Sequence, residues 1–335
     1  MNATCVVCGK PLKRPEQTKV CSLDCRRLHM FRIGKRPPAK PPINTTTYDL
    51  NKVYQSTDNS VQVALFDSIL DSLNIRYTHD FQLQNYKYDI ALTNSKVLIC
   101  ADTTATSNIY TLRNEPTLQR NRALLAKIFG YRCIHIYDWD DPIKILSSLV
   151  PKTTIYARNC TVQEVPPEAA NIFYNMYHYE GEYPLGFHYG LFYNDALVEC
   201  MSFAKPPNSR YQYKLCRFCT DFEYQVVGGL SKLFKAFLAD HNPTSVVAFC
   251  DCNKFVGDCY EKFGMTKVES NAPYKIWSKG IEKREHSFLS YKSKVEEFDD
   301  VITQDRSLEQ IMLEHGWSLL YDCGRSKYEW ISPCI

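Results

Sequence analysis

The sequence predicts a multi-domain α/β protein with a small metal-binding module at the front. Two long stretches alternate amphipathic helices with short apolar strands, which is the pattern of α/β layers. Ahead of them, four cysteines stand in a C-x2-C-x12-C-x3-C spacing, at Cys5, Cys8, Cys21 and Cys25. Two close pairs across a short loop bring four thiolates to one tetrahedral centre. We therefore expect residues 1–33 to form a four-cysteine zinc finger with a structural zinc ion.

The charge of the chain is distributed unevenly. Residues 1–42 contain ten Lys and Arg against two Asp and Glu, which is a net charge of +8. Because the whole chain carries +3, the remaining residues sum to −5. A basic arm on a slightly acidic body is typical of nucleic-acid-binding tails, so DNA is the expected partner. Four prolines in residues 34–47 predict an extended basic linker after the finger.

Composition also indicates a compartment. The start of the chain is polar and basic, without the apolar segment of a secretory signal, and no apolar run approaches the ~18 residues of a membrane helix. We expect a protein of the reducing cytoplasm (the host cytoplasm if the protein is viral) that has no membrane partner. Of the fifteen cysteines, four belong to the zinc module, and most of the other eleven should then be free thiols.

The first predicted α/β domain covers residues 48–150. Apolar residues recur every four positions from Val61 to Leu73, which predicts an amphipathic helix over 60–74. The further predicted elements are strands 86–92 and 96–101, a helix over 116–129 that stops at Gly130, strand 133–137 and helix 142–149.

The second predicted domain covers residues 153–279, and a C-terminal extension covers 280–335. The predicted elements of the domain are strand 154–158, helix 167–178, strands 187–193 and 196–203 joined by a turn at Asn194-Asp195, strand 211–219, a helix from about 226 to 240, strand 245–250, helix 255–263 and strand 274–278. In the extension we expect a basic amphipathic helix, a second helix over 306–315 and a closing hairpin from Ser318 to Trp330.

A turn in the second domain has the composition of an anion site. The segment Gln225–Lys232 opens a predicted helix directly after a strand and contains two adjacent glycines. Free N–H groups at a helix start bind anions, and glycines let a phosphate approach the backbone. The alternative is an ordinary helix entry. The candidate cofactor-binding residues are Gln225, Val227, Gly228, Gly229, Ser231 and Lys232.

The N-terminal module and the first domain resemble known nuclease families. The cysteine pattern is similar to small zinc fingers on phage homing endonucleases. Residues 60–150 resemble the PD-(D/E)xK nucleases, in particular the very-short-patch-repair branch. The resemblance rests on three segments: Tyr88-Asp89-Ile90, the strand Lys96–Ala101 and the segment Gly130–Asp140.

The nuclease resemblance implies a Mg²⁺ site held by two carboxylates on adjacent strands. Asp89 supplies the first carboxylate. Cys100 stands where the family has a glutamate, and a thiol is a poor Mg²⁺ ligand. Asp102 lies two residues further along, on the same side of the strand, and could substitute for it. The favoured interpretation is a degraded domain that only docks on DNA.

The second domain resembles the GNAT acyltransferases. The turn at Gln225–Lys232 is similar to their phosphate-binding turn, with Leu230 in place of the final small residue, and Asp251–Met265 is similar to the segment that follows. Over residues 154–278 the chain is closest to the Mom-type branch, which modifies adenine in phage DNA. The shared features are His178, Tyr189–Tyr193, Met201–Lys205, Leu215–Phe218, the Gly-Gly-x-Ser-Lys turn, and Asp251 with Tyr260.

This resemblance implies an acyl donor such as acyl-CoA and assigns three catalytic candidates. His178 and Asp251 would form an acid/base or metal-facing pair, and Tyr260 would protonate the leaving thiolate. An imidazole that titrates near neutrality and a carboxylate that orients it suit general acid–base work. The alternatives are a surface aromatic cluster around His178 and core packing for Tyr260.

Three functions remain open on these observations. The favoured one is a phage-type DNA-acting protein that transfers a small acyl or aminoacyl-type group onto DNA bases and docks through its first two parts. The second is a Mg²⁺-dependent homing or restriction-like endonuclease that uses Asp89 and Asp102. The third is a DNA-binding protein without catalysis.

Overall fold

The structure is a computed structural model that describes residues 59–109, 115–270, 272–280, 282–285 and 308–333. These residues belong to one compact unit of mixed α/β structure. The predicted zinc finger with its four cysteine ligands and the predicted linker lie outside the described residues. Within the described ranges, no helix has the length and apolar character needed to cross a membrane.

The first layer is a four-stranded sheet with helices on both faces. Its elements are α1 (Ser60–Ser72), β1 (Thr78–Leu83), β2 (Tyr86–Leu92), β3 (Val97–Asp102), α2 (Thr104–Ser107), α3 (Leu118–Ile128), β4 (Arg132–Tyr137) and α4 (Pro142–Ser147). The strand order is β1-β2-β3-β4, antiparallel except for the parallel pair of β3 and β4. A parallel pair needs a crossover, and α3 supplies it.

The two faces of this sheet are buried by different helices. On one face, Phe66 and Leu70 of α1 pack against Ile134. On the other face, Ala126 of α3 packs against Cys133. Strands β3 and β4 are therefore buried on both sides, which explains why their sequences are apolar runs and not alternating patterns.

The second layer is built on a seven-stranded sheet. Its elements are β5 (Thr153–Tyr156), β6 (Thr161–Glu164), α5 (Pro167–Tyr177), β7 (Phe187–Tyr193), β8 (Ala196–Ala204), β9 (Tyr213–Thr220), β10 (Tyr224–Val227), α6 (Gly229–His241), β11 (Ser245–Asp251), α7 (Asp258–Lys262), β12 (Thr266–Ser270), β13 (Lys275–Lys279), β14 (Glu282–Glu285), α8 (Leu308–Glu314), β15 (Ser318–Tyr321) and β16 (Arg325–Ile331). The sheet order is β12-β16-β11-β9-β8-β7-β6.

The parallel pair of β9 and β11 lies in the middle of this sheet, between antiparallel neighbours on both sides. Helix α6 covers one face, where Phe234 and Phe237 join the main core. Helix α5 covers the other face with Phe173 and Tyr174. Strands β10 and β5 form a separate two-stranded parallel sheet, and β14-β13-β15 form a three-stranded sheet.

Two expectations for the C-terminal extension are wrong. The closing hairpin predicted from Ser318 to Trp330 does not form, because β15 pairs with β13 whereas β16 pairs with β11 and β12. The stretch expected to begin a basic helix contains β14, a strand at Glu282–Glu285. Strand β16 inserts between β11 and β12, so the predicted extension contributes a strand to the large sheet.

The two layers are joined around Asn253 and Lys254, which follow β11. The amide of His135 in β4 donates to the carbonyl of Asn253 at 2.8 Å. The Arg132 guanidinium donates through Nε to the carbonyl of Lys254 at 2.8 Å. The ammonium of Lys254, 3% exposed, donates to Asp140 Oδ2 at 2.5 Å and also to the carbonyl of His135. The loop after β11 therefore continues the edge of the first sheet.

Candidate functional site

The main candidate site is a cleft between β9 and β11. The two strands pair only from Tyr213 with Val246 to Leu215 with Ala248, although β9 continues to Thr220. Beyond Leu215 they are no longer paired with each other, and a cavity of about 330 Å³ lies along their carboxyl ends. Crevices at the carboxyl ends of adjacent strands are the usual ligand sites of α/β sheets.

Residues from both layers line this cleft. They come from β4, α4 and the loop after it, the end of α5, the free part of β9, the end of β11 and α7. The polar lining residues are Arg132, Lys144, Ser148, Lys152, Tyr177, His178, Tyr179, Glu180, Arg217, Thr220, Asp251, Lys254 and Tyr260, joined by Cys216, Cys219, Cys250 and Cys259. All three catalytic candidates of the second domain, His178, Asp251 and Tyr260, thus line one cavity.

Asp251 ends β11 and is held by three hydrogen bonds. Its Oδ1 accepts from the amide and the side-chain nitrogen of Asn253, at 2.9 and 2.6 Å. Its Oδ2 accepts from the hydroxyl of Tyr179 at 3.1 Å. Burial, with the Asp251 charge as the next cause, raises the pKa of Tyr179 well above its usual value. Tyr179 therefore stays a neutral phenol, and its hydroxyl group donates a hydrogen bond to Asp251.

His178 follows α5 and is buried, 8% exposed. Its Nδ1 accepts a hydrogen bond from the amide of Glu180 at 3.1 Å, and its ring stacks on that of Tyr179 with centroids 4.9 Å apart. Burial, followed by the charges of Arg217 and Lys144, lowers the pKa of His178 to about 3. The imidazole is therefore neutral at pH 7, which leaves Nε2 to carry the proton and to act as a hydrogen-bond donor. No described contact joins His178 to Asp251 directly; Tyr179 lies between them.

Tyr260 belongs to α7 and is half-buried at the wall of the cleft. Its ring stacks on Tyr328 of β16 with centroids 4.8 Å apart and packs near Phe263. Burial, with the nearby thiols of Cys250 and Cys259 next, raises its pKa. The side chain therefore combines core packing with a hydroxyl group that stays protonated at neutral pH.

The cleft is rich in cations. Arg217 pairs with Glu180 at 2.9 Å and lies over the ring of Tyr183. Arg132 and Lys152 also line the cavity, and burial lowers the pKa of each below its usual value. Such partly desolvated cations attract an anionic ligand more strongly than cations in water do.

A second cavity of about 260 Å³ adjoins the first and is framed by aromatic rings. The rings of Tyr137 and Trp139 are stacked with centroids 4.6 Å apart and planes within 4°. Lys283 lies over Trp139, and Arg325 lies over Tyr274, which also lines the cavity. The residues that line both cavities are Tyr179, Glu180, Asp251 and Lys254. The two cavities thus meet at the Tyr179–Asp251 hydrogen bond.

The predicted donor-binding turn lies at the start of α6, and none of its residues is among those that line the larger cavity. Gln225 and Val227 belong to β10, opposite β5. Ser231 is half-buried in the first turn of α6. Gly228 caps the helix with φ +82°, a left-handed conformation that favours glycine. Lys232 donates to two carbonyls, those of residues 157 and 160, at 2.9 and 2.6 Å.

The carboxyl group of Glu199 lies directly beneath this turn. Its Oε1 accepts from the Thr220 hydroxyl at 2.9 Å, whereas Oε2 is buried without a hydrogen-bond partner among the described residues. Burial raises the pKa of Glu199 to about 8. At pH 7 the group is therefore mostly neutral and adds little negative charge at the start of α6.

We expect Gly229→Ala to destabilise the fold. The added Cβ would overlap Glu199 Oε2 and lie 2.9 Å from a methyl group of Val226. Because both neighbours are packed, the overlap should cost about 1–3 kcal/mol of unfolding free energy, measured by urea denaturation. Ser231→Ala in the same helical turn adds no atom and serves as the matched control. Equal midpoints for the two variants would contradict the close packing of Gly229 on Glu199.

In the first layer, each acidic candidate of the predicted Mg²⁺ site has protein partners. Asp89 accepts from the side chain of Asn59 at 2.9 Å and from the amide of Ala101 at 2.8 Å. Asp102 accepts from the Ser107 hydroxyl at 3.0 Å, and its Oδ2 lies 2.6 Å from His135 Nδ1. Both carboxylates therefore already serve as acceptors within the fold.

Sequence reasoning missed several residues of the cleft. Tyr179 was visible only as part of an aromatic run, and Arg217 only as part of a segment carried by the resemblance. Trp139 and Lys254 likewise stood only inside segments quoted for the resemblances, and their roles depend on the packing of the first layer against the second. The Asp-x-Asn spacing at the end of an apolar strand, as in Asp251 and Asn253, is a local signal for an ordered carboxylate that the sequence analysis did not use.

No family model matches the chain, and no curated protein matches it. Solved structures with similarity include a Bacillus anthracis protein described as a streptothricin acetyltransferase, in complex with acetyl coenzyme A (14% identity, 44% of this chain, 62% of that one, TM-score 0.25). An IAA acetyltransferase from Bacillus cereus has 8% sequence identity over 52% of this chain and 99% of that one, with a TM-score of 0.29. A GNAT family acetyltransferase from Elizabethkingia anophelis with acetyl-CoA bound has 13% identity over 52% of this chain and 99% of that one, with a TM-score of 0.30. This chain spans under two thirds of the length of the Bacillus anthracis protein. At these TM-scores the similarity carries no argument about this chain.

Proposed function

We propose that this protein transfers an acyl group from an acyl-CoA-type thioester to a base of DNA, in a site that both layers of the fold line. The observation that carries the proposal is the pair of adjoining cavities. One is a cationic cleft between two diverging parallel strands, and the other is a pocket framed by aromatic rings. They meet at Asp251 and Tyr179, where a donor and an acceptor could react.

The cleft fits an extended, anionic thioester. After Leu215, the edge of β9 that faces β11 is not used by the β-ladder, so its backbone groups can pair with the amides of an extended ligand arm. Arg132, Lys144 and Lys152 supply positive charge for phosphate groups. The first turn of α6, above the neutral Glu199, offers a second place for them, because its N–H groups have no partners within the helix.

The aromatic pocket fits a planar base. Trp139 and Tyr274 line the pocket with aromatic rings, over which Lys283 and Arg325 lie. A base can stack on these rings where it displaces the two cations, whose charges then suit the backbone phosphates. An acceptor inside a duplex would have to be rotated out of the stack to enter. The basic arm of residues 1–42, with its net charge of +8, supports a nucleic-acid partner.

In this proposal the bound donor supplies an activated thioester carbonyl. Tyr260, kept protonated by burial, donates its proton to the sulfur as the C–S bond breaks, and solvent restores that proton. Asp251 holds Tyr179 at the junction of the cavities and takes up the proton that the attacking amine loses as the new C–N bond forms. His178 stacks on Tyr179 and positions it.

The carboxylates of the first layer favour this proposal over the endonuclease. Asp89 and Asp102 are both engaged as acceptors by the fold, and Cys100 stands two residues before Asp102 in the same strand. Specific plasmid cuts with Mg²⁺ that vanish in Asp89→Ala would reverse that preference.

The test is acyl transfer by the purified full chain. With acetyl-CoA and duplex DNA, we expect release of free thiol and a mass increase of one acetyl group on a single nucleoside. Tyr260→Phe should lower turnover about 100-fold or more, because it removes the general acid, while the unfolding free energy changes little. Tyr193→Phe, a half-buried tyrosine that lines neither cavity, is the matched control. Unmodified nucleosides with donors of several acyl types would refute the proposal.

A further inference from the structure

A cluster of soft metal ligands lies in the first layer, apart from the cleft. Cys100 of β3 is directly opposite His135 of β4 in the parallel register, and Cys133 is two residues before His135. Since side chains alternate along a strand, all three project from the same face of the sheet. All three are buried, between 0% and 4% exposed. Their ligand atoms lie within 4.8 Å of one another.

The spacing of these atoms matches a tetrahedral zinc centre. Two thiolates about 2.3 Å from zinc at the tetrahedral angle are about 3.8 Å apart, and a thiolate and an imidazole nitrogen about 3.5 Å apart. In the structure, the sulfurs of Cys100 and Cys133 are 3.7 Å apart, and the sulfur of Cys133 is 3.4 Å from His135 Nε2. A disulfide would need about 2.05 Å between the sulfurs, so the two thiols are not bonded to each other.

The imidazole is oriented as a metal ligand would be. His135 Nδ1 lies 2.6 Å from Asp102 Oδ2, so the proton on Nδ1 is held by the carboxylate and Nε2 faces the two sulfurs. Metal-binding histidines commonly have such a carboxylate on the other nitrogen. Ser107 fixes the other oxygen of Asp102 at 3.0 Å, and Arg122 lies 3.9 Å from it. Arg122 also brings a positive charge that offsets thiolate charge.

We infer that Cys100, Cys133 and His135 bind a soft divalent cation of the zinc class. Among the described residues, these three supply the cysteine and histidine ligand atoms that lie close enough together to share one ion. Because all three are buried, the centre is structural: it fastens β3 to β4. The inference does not depend on the proposed acyl transfer.

This site gives Cys100 a different role from the one that the nuclease resemblance implies. The nuclease resemblance calls for a hard oxygen ligand at that position, and the thiol leaves the Mg²⁺ site without it. Thiolate and imidazole ligands instead select zinc over magnesium. The strands of the predicted Mg²⁺ site therefore carry a different metal chemistry, with Asp102 as the support of His135 and not as a ligand.

The experiment measures metal content in the full chain. Because the predicted N-terminal four-cysteine module would add its own zinc, the parent is the full chain carrying Cys5→Ser and Cys8→Ser. We expect about one zinc per chain by mass spectrometry of the metal, and its loss when Cys133→Ser is added. Cys219→Ser, another buried cysteine outside the cluster, should retain the zinc. A parent without metal, or a folded Cys133→Ser variant that keeps all of it, would overturn the inference.

A second measurement covers the case in which Cys133→Ser does not fold. Cobalt(II) loaded into the parent should give the intense near-ultraviolet absorption of thiolate ligation and the visible bands of a tetrahedral ion. Added zinc should abolish both. Cobalt spectra of an octahedral ion without thiolate absorption would refute the site, as would a Cys100–Cys133 disulfide in peptides from protein kept under reducing conditions.

Discussion

Replacing Lys254 with methionine should destabilise the protein by about 3–5 kcal/mol, the cost of removing one partner of a buried ion pair. The Lys254 ammonium is 3% exposed and lies 2.5 Å from Asp140 Oδ2, whose side chain is 10% exposed. Methionine fills a similar volume but leaves the Asp140 carboxylate without its cation and the His135 carbonyl without a donor. The measurement is the unfolding free energy from urea denaturation.

A matched exposed pair provides the control. Lys127 and Asp258 lie 2.9 Å apart, and both side chains are about half exposed. Lys127→Met should therefore cost less than about 1 kcal/mol, because water screens and solvates the remaining charge. Adding Asp140→Asn to Lys254→Met should recover part of the loss, since the lone buried charge is gone. Equal costs at the two lysines would show that Lys254 does not fasten the layers together.

Local signals in the sequence were enough to predict the helices and strands that contain an apolar run and end at a recognisable turn. Strand β2 has the predicted bounds, and the helix predicted to stop at Gly130 does so at a glycine with φ +78°. Asn194 and Asp195 both have positive φ, as a two-residue hairpin turn requires. In these cases the residues that determine the conformation lie within a few positions of each other.

Short or polar strands were not predicted, because their partners are distant in the chain. β1 is the largely exposed Thr78–Leu83, and β12 is the fully exposed Thr266–Ser270. Neither has an apolar pattern, and each is a strand only because a neighbouring strand offers a ladder. β16 pairs with β12 although more than fifty residues separate the two strands in the sequence, and no local pattern encodes that pairing. The predicted hairpin failed for this reason.

The candidate site was predictable where one strand or helix end carries it. Asp251 ends β11, His178 follows α5 and Tyr260 lies within α7, and the fold brings the three side chains to one cleft. The second cavity was not predictable, because Trp139 belongs to the first layer and Tyr274 to the second. Contacts between the layers depend on how their two surfaces pack. The sequence pattern of one layer does not encode this packing.

We expect the contribution of Glu199 to the stability of the protein to fall as pH rises from about 5 to 9. Burial raises its pKa from 4.5 to about 8. Between these values the folded state binds a proton that the unfolded state has lost, so stability is full below about pH 4.5 and decreases until the folded group ionises. Since one pKa unit corresponds to about 1.4 kcal/mol, the total loss is at most about 5 kcal/mol.

The variant Glu199→Gln isolates this effect, because glutamine keeps the shape and the acceptor for Thr220 but cannot ionise. Its unfolding free energy minus that of the wild type should rise from pH 5 to pH 9. Burial also lowers the pKa values of His178 and of His188 in β7, but both proteins share these contributions, so the difference cancels them. Glu164→Gln, an exposed site, should give a difference within about 0.5 kcal/mol at every pH. A flat difference for Glu199→Gln would show that Oε2 is not desolvated. If the difference rises as expected, ionisation of Glu199 above pH 8 also places a negative charge beneath the first turn of α6, where it would repel a phosphate.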